Sequence, residues 1–123
     1  MAGFERLLAW RVARQLAVEL DRVTRSARFR GAYPLADQLR RASLSVVSNI
    51  AEGHGRARRA EFASFLLIAR GSGVEIQAQL VLALTTGRLV YNEYARLRGM
   101  ADHTVALVTK LHSVVLTQCE AGP

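Results

Sequence analysis

Several residue types that carry cross-links or chemistry are nearly missing from this chain of 123 residues. Cys119 is the only cysteine, which excludes an internal disulfide and a cysteine-based zinc site. With only two prolines, few positions are barred to helix. Aromatic residues make up 7% of the chain, so base-stacking candidates near turns reduce to Tyr33, Tyr91 and Tyr94. No uninterrupted apolar run approaches membrane-spanning length. Glu5, Arg6, Arg11 and Arg14 break up the N-terminal stretch, unlike the apolar centre of a signal peptide. The expectation is a cytoplasmic protein without membrane contact.

Acidic residues and lysine are scarce, whereas arginine is not. The formal charge is +7 and Lys110 is the only lysine. Arginine offers a planar fork that matches phosphate and carboxylate and stacks on bases. The balance fits nucleic acid or an acidic protein surface. It fits equally a genome rich in arginine codons that decorates solvated helix faces. Half of the residues are hydrophobic, which at this length allows one domain, residues 1–123, with a core of its own.

Apolar spacing divides the chain into four helical segments. The first runs from about Phe4 to Arg28, with Leu16, Leu20 and Val23 in its inner stripe. Pro34 suits the start of the second, which covers Leu35 to about Glu52 and is expected to stop at Gly53 and Gly55 through left-handed backbone. The third opens at Arg56 to Arg59 and reaches Leu84 to Arg88 along Phe62, Phe65, Ala69, Ser72, Ile76, Leu80 and Ala83. Gly71 and Gly73 within it predict close approach of another helix. Gly87 and Asn92 frame the third turn. The last helix extends from about Glu93 to Cys119 with a seam at Leu97, Met100, Thr104, Leu107, Leu111 and Val114, and Glu120 to Pro123 should fray. Four such segments joined by short turns predict an all-α, antiparallel up-down-up-down four-helix bundle.

The stretch Gln38 to Arg56 stands out. Leu35, Leu39, Ala42, Val46 and Ile50 mark one helical face, and Leu44, Val47 and Ala51 form a second apolar row beside it. So wide an arc calls for cover on more than one side, from the bundle and from a protein partner. Ser45, Ser48, Asn49 and Glu52 lie between the rows and require hydrogen bonds wherever they are buried. Asn49, Glu52, Ser72, Glu75 and Gln79 are expected to form a structural polar network, with Glu52 or Glu75 pairing with Arg41, Arg56 or Arg70.

Enzymatic constellations are not apparent. A carboxylate-bridged metal site in a bundle needs Glu-x-x-His on two helices, and that spacing does not occur. Glu52 and His54 diverge on a helix, His54 reads as a loop residue, and His103 and His112 lack a suitably spaced carboxylate. Cys119 has no activating histidine near it in sequence. Gly53-His54-Gly55 follows no strand and precedes no Gly-Lys-Ser/Thr, so it is not a phosphate loop. The reading is a non-enzymatic protein without catalytic residues, metal or cofactor.

The arginine rows remain. Arg11, Arg14, Arg22 and Arg25 share one side of the first helix, and Arg40, Arg41, Arg56, Arg58 and Arg59 cluster on and after the second. These nine are the candidate phosphate contacts.

The chain also resembles a four-helix-bundle family that includes proteins encoded within intervening sequences of bacterial 23S rRNA genes. The matching residues are Gln38, Leu39, Arg40, Arg41, Ala42, Ser45, Ser48, Asn49, Ile50, Ala51, Glu52, Gly53, Gly55 and Arg56. Phe65, Leu66, Ala69, Gly71, Ser72, Glu75 and Gln79 follow in the third helix, and Trp10 and Ala13 in the first. Ala27 to Pro34 departs from the family pattern, lacking its early loop proline. The resemblance extends to accessory proteins of diversity-generating retroelements. It implies a barrel-shaped homopentamer that engages nucleic acid and, as a protein partner, a reverse transcriptase. Together the two lines predict an RNA- or DNA-binding accessory protein. The competing reading is a protein-interaction scaffold whose arginines keep it in solution or meet an acidic partner.

Overall fold

Buried side chains recur at steps of three and four. Ala9, Ala13, Leu16, Leu20 and Val23 mark the first helix, and Ala36, Leu39, Ala42, Val46 and Ile50 the second. The computed structural model describes residues 3–120. It contains helices α1 (Leu8–Thr24), α2 (Tyr33–His54), α3 (Arg59–Thr85) and α4 (Tyr91–Glu120), with short 3-10 turns at Gly3–Arg6 and Ala27–Phe29. Each helix packs on its two neighbours in a ring, α1 on α2, α2 on α3, α3 on α4 and α4 on α1, giving an antiparallel four-helix bundle.

Four local expectations need correction. The first helix is shorter than its periodicity predicts. Leu7 is extended at its start, and beyond Thr24 the chain enters a separate 3-10 turn anchored by buried Phe29. The second helix does not stop at its glycines through left-handed backbone. It runs to His54, which is helical and meets Phe62 edge-on, and Gly55 follows with φ −77°. Gly53 serves packing instead, since a Cβ there would lie 2.6 Å from Phe65 Cβ. Gly73 meets α4 as expected, where a Cβ would sit 2.8 Å from Val105 Cγ2, but Gly71 faces open space. The α4 seam is most deeply buried at Leu97, Ala101, Thr104, Val108 and Val115, with the expected Met100, Leu107 and Leu111 packed beside it and Val114 exposed. Of the tail expected to fray, Glu120 closes α4, and residues 121–123 lie outside the described residues.

Helix α3 is unusual among the four. Its apolar residues lie on all sides, a pattern of helices covered on every face. By length and composition alone it could cross a membrane, although Arg70 and Glu75 fall within it. Yet within the bundle Leu67, Ile68, Val74, Val81 and Leu82 are exposed.

Candidate nucleic-acid interface

The nine candidate arginines fall into three groups. On the outer face of α1, Arg11, Arg14, Arg22 and Arg25 are all exposed. The spacing that aligns them also places carboxylates within reach, as three- and four-residue steps bring side chains together. Arg22 pairs with Glu19 at 3.1 Å and with Glu93 of α4 at 3.5 Å, and Arg25 pairs with Asp21 at 3.1 Å. Arg11 donates to the Arg6 carbonyl at 3.4 Å, while the Arg14 side chain has no partner among the described residues.

The second group lies along α2. Arg41 pairs with Asp37 at 2.7 Å and Arg56 with Glu52 at 3.1 Å. Arg40 turns instead toward α1, where its Nη1 donates to Thr24 Oγ1 at 3.0 Å. The third group opens α3: Arg58 and Arg59 are exposed, and the Arg59 guanidinium stands 5.8 Å over the Phe62 ring. Arg56 lies 5.0 Å over Phe65, so both ends of the α2–α3 turn rest on aromatic faces. Four of the nine are thus in exposed ion pairs. Such pairs contribute little stability and leave outward N–H donors that a phosphate can engage.

The hydrogen bonds of Arg22, then of Arg96, hold the Glu19 carboxyl below the usual carboxylate range. Asp21 is lowered by Arg25, and Asp102 by Arg98 and then Gln77. Arg96 Nη1 reaches Glu19 at 2.6 Å, so this exposed network fastens α1 to α4.

The expected polar network is only partly assembled. Ser45 and Ser72 hydroxyls meet at 2.8 Å between α2 and α3, and Asn49 donates to the Ser45 carbonyl and hydroxyl at 2.8 and 3.1 Å. Glu52 reaches Arg56 but at the surface, with both side chains about half exposed. Glu75 is not drawn in: Arg41 is held by Asp37 and Arg70 donates to Thr109. Gln79 Oε1 is buried without a hydrogen-bond partner among the described residues.

Residues outside the nine candidates also contribute. Arg28 and Arg30 extend the charge of the α1–α2 turn, and Arg88 Nη1 donates to the carbonyls of both at 3.3 and 2.9 Å. The local run from Arg25 to Arg30 carries that signal, but Arg88 lies some sixty positions away and only folding brings it there.

Two opposite faces result. The outer side of α1 carries the arginine row, with Val18 exposed among the arginines. Diagonally across the bundle, α3 presents Ala60, Ser64, Leu67, Gly71, Val74, Ala78, Val81 and Thr85, all exposed and spaced by alternating steps of four and three. That spacing is the seam of packed helices, with small residues alternating with larger apolar ones. Among the described residues no three His, Cys, Asp or Glu side chains converge as a metal site.

Comparison with known proteins points the same way as the fold. The family model described as 23S rRNA-intervening sequence protein matches residues 5–110. A crystal structure of a protein of unknown function, from the S23 ribosomal protein family of Bacteroides thetaiotaomicron, shares the fold with a TM-score of 0.79 at 18% identity. The match covers 85% of this chain and 98% of that one. No curated protein matches the chain.

Proposed function

This chain belongs to the family of 23S rRNA-intervening sequence proteins, and from that premise we propose that it is a non-enzymatic nucleic-acid-binding accessory protein working as a homo-oligomer. The observation that carries this reading is the placement of an exposed apolar row on α3 across the bundle from the arginine row of α1. Apolar seams of several copies packed together would hide the exposed valines and leucines of α3 and turn the α1 arginines outward. Water favours that arrangement at about 25 cal/mol per Å² of apolar surface covered. Resemblance to the retroelement accessory proteins favours five copies. Repeating a +7 chain around a ring converts a weak basic patch into a multivalent one.

Its contacts would be to phosphates, giving salt-sensitive binding with little sequence preference. Fluorescence anisotropy with labelled single-stranded RNA, duplex RNA and duplex DNA over a salt series tests this. Binding that weakens steeply with salt is expected, and the preferred ligand names the substrate class. Absence of binding at low salt overturns the reading.

One observation favours a scaffold instead: Arg22, Arg25, Arg41 and Arg56 are already matched by carboxylates, as on any solvated surface. In that case the α3 seam receives a helix of another protein, such as a reverse transcriptase.

A further inference from the structure

A half-open cleft of about 330 Å³ lies where α1 turns into α2. Its lining includes Thr24, Arg25, Ser26, Arg30, Tyr33 and Arg40, and no carboxylate. Three arginines therefore line it from three places: the end of α1, the exit of the 3-10 turn, and two turns into α2.

They are not equally committed. Arg25 is bound to Asp21, which stands outside the lining but whose charge also acts on Arg40. Arg40 is half-buried and aimed by Thr24, whose hydroxyl accepts from Nη1 at 3.0 Å and donates onward to the Leu20 carbonyl at 2.6 Å. Thr24 is only 5% exposed, so this anchor is set into the core. It is the only hydrogen bond of the Arg40 side chain among the described residues, and most of its donors remain available. Arg30 has no side-chain partner among the described residues, while Arg88 holds the turn that presents it. At the mouth, Tyr33 is 68% exposed. It precedes Arg40 by seven residues and so lies on the same face of α2, about 10 Å along the axis.

Guanidinium donors of Arg30 and Arg40 that no carboxylate hydrogen-bonds select a phosphate, and an exposed aromatic side chain beside them selects a planar base. We propose that this cleft seats a nucleoside phosphate, the phosphate between Arg30 and Arg40 and the base against Tyr33. The proposal rests on the nucleic-acid reading above and narrows it to one seat. A free mononucleotide and one unit of a single strand present the same chemistry.

The test uses the full chain with two probes, adenosine 5′-monophosphate by calorimetry and a labelled single-stranded oligoadenylate by anisotropy. Arg30→Gln, Arg40→Gln and Tyr33→Leu are each expected to weaken binding about tenfold, the effect of removing one charge-assisted hydrogen bond or one stacked base. Lys110→Gln, on α4 and away from the cleft, serves as the reference with unchanged binding. Arg30→Gln breaks no side-chain hydrogen bond within the described residues and guards against misfolding of the Arg40 variant. Weakened binding of both probes supports the seat and admits free nucleotide. Weakened binding of the oligonucleotide alone supports it with a strand as the source. Unchanged oligonucleotide binding in both arginine variants overturns the seat and leaves the proposed function standing. Mononucleotide bound through these residues, with neither the oligoadenylate nor the duplex ligands bound, upholds the seat and overturns the nucleic-acid reading. If neither probe binds, the seat falls, and the proposed function then stands or falls with the duplex ligands.

Discussion

Two glycines in the packed pair α2 and α3 have opposite roles, and the difference is one of distance. Gly53 lies against α3, where an added methyl would fall 2.6 Å from Phe65 Cβ and 3.0 Å from the Phe62 ring. Neither neighbour is the loose end of a flexible chain. Gly53→Ala should therefore cost about 1–3 kcal/mol, the range for overpacking, seen as a lower midpoint in urea denaturation. Gly71 has nothing within 4 Å of an added methyl. In the isolated chain Gly71→Ala should stabilise by about 0.5–1 kcal/mol, because alanine loses less backbone entropy in a helix. Read from sequence, all these glycines look alike. Spacing alone makes Gly53 a helix stop and Gly71 a point of close approach, and only the packing of α2 on α3 separates their true roles. The arginines show the converse limit. Their rows are legible, and so are the carboxylates three or four residues before Arg22, Arg25, Arg41 and Arg56. The turn of Arg40 toward Thr24 is not, since it depends on how α1 meets α2.

Elements are fastened by contacts whose charge state matters. Glu19 of α1 accepts from Arg22 and from Arg96 of α4, and its carboxyl is held below the usual range. Asp102 of α4 accepts from Arg98 and from Gln77 of α3 and is likewise lowered. A lowered folded-state value means that the unfolded chain binds these protons more readily. Stability from both groups is full above the unfolded carboxylate values, roughly 4, and is lost as pH falls through the folded ones. Denaturation midpoints should thus decline below about pH 4.5, and Glu19→Gln with Asp102→Asn should flatten that decline. At neutral pH the cost of either substitution should stay within about 1 kcal/mol, as befits exposed pairs. The number and order of helices are legible from periodicity because four stripes recur at helical steps. The α4 seam is wider than its expected row, since Met100, Leu107 and Leu111 pack against the core beside Ala101, Val108 and Val115, and only Val114 of the expected residues is exposed. In α3, apolar on every side, spacing alone cannot tell the row that meets the core from the row that meets solvent.

The whole molecule is organised by that second row of α3. The chain buries Leu66, Ile76 and Leu80 fully, yet exposes Leu67, Val74 and Val81 on the same helix, an apolar row that the proposed self-association would cover. Self-association through this seam predicts that Val74→Glu yields a folded chain with unchanged helical circular dichroism. Light scattering should then give the mass of one chain, against a multiple for the wild type. It also predicts that nucleic-acid affinity falls with the assembly, because single patches lose the gain from multivalency. Binding of a labelled single-stranded RNA by the wild type and by Val74→Glu, titrated at stepped salt concentrations, tests the account most directly. Tight, steeply salt-dependent binding by the wild type is predicted, with a weaker and shallower dependence for the variant, each phosphate contact contributing about 0.7 to the slope. Wild-type protein that leaves this RNA and the duplex ligands free at low salt would contradict the account, and the arginines would then be the solvated surface of a protein scaffold.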